Sequence, residues 1–176
     1  YLKDPDGEET VLLPKKYVTE DMKKDDNIEV FVYLDSEDRK VATTLRPFGK
    51  VNDIVNLLCV GSSNIGAFLD WGLEKDLFLP FKQQTAKVMK KDKCLVSLYI
   101  DKSERLCATM KVYDLLRQDS PYQKDDMVEG IVYDTSEEFG VFVAVDNQYS
   151  ALIPKKEAQG KWRAGQVVKA RVTEVK

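Results

Sequence analysis

The sequence predicts an all-β chain of small five-stranded barrels in tandem, the first and last incomplete. Three observations carry that reading: a repeat of fixed period, apolar alternation with a period of two, and turn residues that separate the alternating runs. Laid over Leu77–Met110 at a constant offset of 66 residues and without gaps, Val11–Thr44 shows identities at Leu13/Leu79, Pro14/Pro80, Lys16/Lys82, Lys24/Lys90, Asp26/Asp92 and Val30/Val96. They continue at Tyr33/Tyr99, Asp35/Asp101, Arg39/Arg105, Ala42/Ala108 and Thr43/Thr109. A looser third copy runs through Ala151-Leu152-Ile153-Pro154-Lys155-Lys156 and Gly165-Gln166-Val167-Val168.

Within the repeat, Ile28, Val30, Val32 and Leu34 alternate with more polar residues. Cys94, Val96, Leu98 and Ile100 do the same, and Val141, Val143 and Val145 alternate with Phe142 and Ala144. Asp4-Pro5-Asp6-Gly7, Asp35–Asp38, Asp101–Glu104 and Asp146-Asn147 supply the turns. The middle copy yields strands over Ile54–Val60, Ile65–Trp71, Leu77–Leu79, Cys94–Ile100 and Leu106–Met110. The non-alternating stretch Lys82–Lys91 fits a short helix or helical turn between the third and fourth of these, and that order is the OB-fold recipe. The first copy lacks its opening strands, and the third breaks off at Lys176 before its last one. Val112–Gln118 reads as a linker helix ahead of the breaker Ser120-Pro121. The expected division is 1–47 for a partial module, 48–112 for a complete one, 113–123 for a linker and 124–176 for a truncated third.

Composition removes several kinds of chemistry. There is no histidine, so His-activated nucleophiles and the common zinc-enzyme sites are excluded. The three cysteines, Cys59, Cys94 and Cys107, show no CxxC spacing and lie among apolar neighbours, which suits buried thiols in a reducing, cytoplasmic compartment. No apolar run approaches the ~20 residues that a membrane-spanning helix needs, so no membrane partner is expected. The net charge of −3 is unevenly shared. Residues 1–47 carry −4, residues 48–112 carry +3 and residues 113–176 carry −2, which makes the middle copy the electropositive one.

The middle copy runs Asn64-Ile65-Gly66-Ala67-Phe68-Leu69-Asp70-Trp71-Gly72, then Lys75-Asp76-Leu77-Phe78-Leu79-Pro80, and closes on Asp101-x-x-x-Arg105. The third has Gly130-Ile131-Val132 followed by Glu138-Phe139-Gly140-Val141-Phe142-Val143. These strings resemble the second strand, the following strand and the closing turn of S1-type RNA-binding domains. The three-copy order, with the Ala67–Leu77 stretch, is similar to the bacterial conserved virulence factor B family, RNA-binding proteins with tandem S1-type domains. The resemblance implies single-stranded RNA as partner, a role in gene regulation and virulence, no catalysis and no cofactor. Ile65 stands where the pattern has an aromatic, which the third copy keeps as Phe139.

Strand alternation puts Ala67, Leu69 and Trp71 on the core face and leaves Phe68 outward, with Phe142 placed likewise opposite Val141 and Val143. An outward aromatic on a barrel strand is a stacking platform for an unpaired base. Gly66 and Gly140 permit a bend and close backbone approach. Arg39 and Arg105 are expected at the mouth of that face, with Asp101 as the turn partner of Arg105 and Lys90 and Lys91 adding positive charge. The RNA-binding set is therefore Phe68, Arg105, Asp101, Lys90, Lys91, Phe139, Phe142 and Arg39. Two other functions fit parts of the chain. Acidic outer modules suit a scaffold docking a basic protein partner, and Asp25-Asp26 and Asp125-Asp126 are the paired carboxylates a magnesium-dependent nuclease would need.

Overall fold

The computed structural model describes residues 1–176 and is all-β, with no helix longer than a single 3-10 turn. The first repeat contains β1 (Leu2–Lys3), β2 (Thr10–Val11), β3 (Phe31–Leu34) and β4 (Lys40–Thr43). The middle one contains β5 (Ile54–Ser62), β6 (Gly66–Asp70), β7 (Leu77–Pro80), β8 (Lys93–Ile100) and β9 (Leu106–Thr109). The last contains β10 (Met127–Ser136), β11 (Gly140–Val145), β12 (Tyr149–Pro154) and β13 (Val167–Arg171).

The middle strands close into a barrel in the order β5-β6-β7-β9-β8, sealed by the parallel register Phe78↔Cys107. Closure removes the unpaired sheet edges that would invite aggregation. Its core holds Leu57, Cys59, Ala67, Leu69, Trp71, Leu77, Leu79, Cys94, Val96, Leu98, Ala108 and Met110. The alternation in β6 is as expected: Ala67, Leu69 and Trp71 are 1%, 0% and 3% exposed. Burial pushes the Cys94 thiol up to about 12 and is the largest cause holding Cys107 at about 11, so both stay protonated and inert at neutral pH.

The 66-residue repeat is realised in the backbone. β4 falls on β9 and β3 on the second half of β8, while the parallel bridge Leu12↔Val41 falls on Phe78↔Cys107. A left-handed residue occupies one equivalent turn in all three copies, at Asp25 (φ 71°), Lys91 (φ 78°) and Gly165 (φ 90°). The first repeat keeps more of its opening than expected, because β1 and β2 pair as remnants of the second and third barrel strands. Val32, the counterpart of core Leu98, is 45% exposed. The third sheet has the order β12-β11-β10-β13, open between β12 and β13. A trough of about 690 Å³ lies there, lined in part by Val128, Val143, Val145, Ile153 and Val168.

Of the two expected helical elements, the first is reduced to one helical turn and the linker helix does not form. The helical part at Lys82–Lys91 is Phe81–Gln83, a single 3-10 turn that follows Pro80. The remainder is held by outside contacts: Thr85 Oγ1 donates to the Tyr133 carbonyl at 3.0 Å, and the left-handed Lys91 ends the stretch. In Val112–Gln118 only Tyr113–Leu115 turns. Val112 and Leu116 are drawn into a buried cluster with Leu95, Tyr133 and Ala144, and Arg117 bridges to Tyr149 as an extended residue. Tertiary burial has overridden a local preference worth only tenths of a kcal/mol per residue.

Candidate nucleic-acid interface

The outer face of the middle barrel carries a strip of aromatic rings. Phe68 on β6 and Phe78 on β7 are directly opposed, their centroids 5.5 Å apart in a tilted arrangement. Such a pair contributes about 0.5–1.5 kcal/mol beyond burial. Gly66 makes it possible, because a Cβ there would meet the Leu79 carbonyl oxygen and the Phe78 ring edge. The close approach expected of this glycine is therefore real. At the strand ends the Phe81 N–H donates to the Ile65 carbonyl at 3.3 Å, which sets these two side chains, 54% and 59% exposed, beside the strip.

Cross-strand register extends the face from Phe78 through Cys107 to Tyr99. Thr109 lies two residues beyond Cys107, and its hydroxyl donates to Gln83 Oε1 at 2.8 Å. Phe78, Phe81, Tyr99 and Gln83 were not singled out from sequence. Phe78 was legible from the alternation Leu77-Phe78-Leu79, whereas Gln83 reaches the face only because the turn after β7 folds back, its carbonyl accepting the Met110 N–H at 2.9 Å.

The equivalent faces of the outer modules are partly occupied: Leu12 and Leu152, which stand in the place of Phe78, are 42% and 44% exposed, but the aromatic residues there are packed into the joints between modules. Tyr33, the counterpart of Tyr99, packs with Phe31 against the middle core, where Phe31 meets Trp71 edge-on at 5.8 Å. Lys75 Nζ donates to the Leu34 and Asp35 carbonyls at 3.1 Å each, and Lys16 pairs with Glu74. On the other side Phe142, the counterpart of Phe68, packs between Tyr113 and Tyr133 against the cluster that joins the second and third modules. Arg163 clamps that joint on Asp92 at 2.8 Å. Phe68 and Phe78 belong to none of the three buried clusters.

The remaining expected residues are distributed as follows. Phe139 is exposed at the start of β11. Lys90 and Lys91 are exposed on the turn before β8. Asp101 does not pair with the Arg105 guanidinium; its Oδ1 accepts the backbone N–H groups of Ser103 and Arg105 at 2.8 and 3.0 Å. Arg105 reaches across to Asp38 of the first module at 2.6 Å, while Arg39 pairs with Asp35 and Glu37. These exposed pairs are screened by solvent and weak, so the guanidinium groups are available to a stronger anion. Asp26 and Asp126 accept backbone amides within their own turns, at Lys23 and Gln123.

The backbone hydrogen bonds from Arg105 and Ser103 hold the Asp101 carboxyl below its usual range, with the Cys107 thiol and the Arg105 charge adding to them. A depressed folded-state value means stability that is present above the unfolded carboxylate value and lost as pH falls through the folded one. Asp101→Asn is thus expected to lower the unfolding midpoint at neutral pH, with the difference from wild type closing as pH drops below the carboxylate range. Thermal unfolding across an acid series checks this.

Comparison with known proteins agrees with this architecture. Residues 1–45 match the family model described as the S1 domain, and residues 122–176 match that described as the S1 RNA binding domain. The chain is 28% identical over 180 residues to the uncharacterized protein YitL of Bacillus subtilis, an alignment covering 97% of this chain and 60% of that protein. A multidomain protein with nucleic acid binding domains from Streptococcus pneumoniae has the same fold, with a TM-score of 0.63 at 22% identity over 94% of this chain and 61% of its own. The chain spans about three fifths of the length of each.

Proposed function

We propose that this chain, with S1 domains toward both ends of a three-module array, binds single-stranded RNA on the outer face of its middle module. The observation that carries the reading is the Phe68–Phe78 pair, a half-buried stacking platform of two aromatic rings that are packed into neither joint between modules. It lies on the segment with net positive charge, and Arg105, Lys90 and Lys91 are the candidate phosphate contacts. Phe139 and Arg39 offer secondary contacts on the flanking modules. Phe142 and Asp101 act through structure, the first in the joint between modules and the second in the turn that presents Arg105.

Membership of the conserved virulence factor B family, a cytoplasmic location and a role in post-transcriptional regulation belong to the same reading, supported by the tandem order of the modules. Titration of a fluorescent single-stranded RNA into this chain tests it. Binding that weakens steeply between 50 and 200 mM salt is expected, and no binding at low salt would overturn it. Because Asp38 holds Arg105, Asp38→Asn is expected to tighten RNA binding about two- to fivefold and to steepen the salt dependence.

A further inference from the structure

Beside Phe78, two polar side chains, Thr109 and Gln83, are joined by a hydrogen bond whose sense can be read group by group. The Thr109 oxygen accepts the Lys111 N–H at 3.1 Å, which leaves its proton for Gln83 Oε1 at 2.8 Å. The Gln83 carbonyl oxygen is therefore engaged, and the NH₂ of the same amide is the end turned outward. Tyr99 stands on the same face, across Cys107 from Phe78. Burial raises its phenol, and the nearby Gln83 side chain works the other way. The edge of the strip thus presents the Gln83 N–H as a donor, and all three side chains are half-buried, where an unmatched donor is costly.

We propose that Gln83, oriented by Thr109 and backed by Tyr99, reads the edge of the base stacked on Phe78 and favours bases with an exocyclic carbonyl, uracil and guanine, over those with an amino group there, cytosine and adenine. This rests on the RNA-binding reading above. A uracil O4 accepts from the Gln83 amide, whereas a cytosine amino group meets donor with donor. Uracil and cytosine share one ring size, so comparing them holds stacking nearly constant.

The test is fluorescence anisotropy of the intact chain with labelled oligo(U) and oligo(C). Wild type is expected to bind oligo(U) about tenfold more tightly. Gln83→Glu replaces the outward donor by an acceptor and is expected to abolish or reverse the preference. Thr109→Val and Tyr99→Phe are expected to reduce it, with thermal unfolding checking that each variant is folded. RNA binding that is lost in Phe78→Ala but shows equal affinity for the two oligomers, or a preference unchanged in a folded Gln83→Glu, would overturn the specificity proposal and leave the RNA-binding reading intact. Absence of binding to either oligomer would overturn both.

Discussion

Phe78→Ala is expected to weaken single-stranded RNA binding by about 10- to 100-fold, the largest effect of any single substitution on function. A base stacked on an aromatic side chain contributes about 1–3 kcal/mol by alanine substitution, and here the loss is compounded. The Phe78 ring also supports Phe68 at 5.5 Å, so its removal leaves the second ring without its neighbour. Phe68→Ala should cost less, because Phe78 keeps its seat over Gly66. The double variant should approach the affinity that phosphate contacts alone provide, and the two losses should not add, since the rings are in contact. Phe142→Ala is the informative contrast. Packed between Tyr113 and Tyr133, it is expected to lower the unfolding midpoint while changing RNA affinity little. Equal affinity losses at Phe78 and Phe142 would contradict a single open face.

Gly165→Val is expected to have the largest effect on stability, about 3 kcal/mol or more. At φ 90° a branched side chain carries a strain of about 1–3 kcal/mol. The added Cβ would also fall on the Lys93 carbonyl, which is backbone of the middle barrel rather than a side chain that can swing aside. The turn or β8 must move, and either displaces the third module from the second. Gly160→Val separates the two contributions: its φ is 94°, yet a Cβ there meets nothing within 4 Å. Chemical unfolding of both variants should therefore show the smaller, purely conformational loss at Gly160. Limited proteolysis should find the 84–92 segment cut faster only in Gly165→Val, because its contacts with Tyr133 and Arg163 would loosen.

Much of the architecture was legible because the repeat constrains it from two directions. The offset that aligns Asp35 with Asp101 also aligns their turns: in both, the aspartate Oδ1 accepts the N–H groups two and four residues on. Alternation in Ala67–Trp71 fixed which side chains enter the core, since a strand has only two faces. The segments 82–91 and 112–118 keep only single 3-10 turns, because absence of alternation is not itself a helical preference. Those segments are instead shaped by what they touch, Thr85 by Tyr133 and Leu116 by the cluster around Leu95.

The candidate site was legible only in part. Phe68 followed from its strand. Arg105 followed from its turn, but its partner Asp38 lies 67 residues away and could not be read from spacing. Gln83 carried no signal of its own; its role depends on a fold-back that brings it to Thr109.

By itself, then, the sequence determined what each module is, because strand period, turn chemistry and the 66-residue repeat are local properties that each copy carries alone. Only the tertiary structure decided which module keeps an open face. Phe31 and Tyr33 are committed to the first joint and Phe142 to the second, while Phe68 and Phe78 stay outside both. Burial between modules depends on which surfaces meet, and strand alternation marks an outward aromatic without saying whether a neighbouring module covers it.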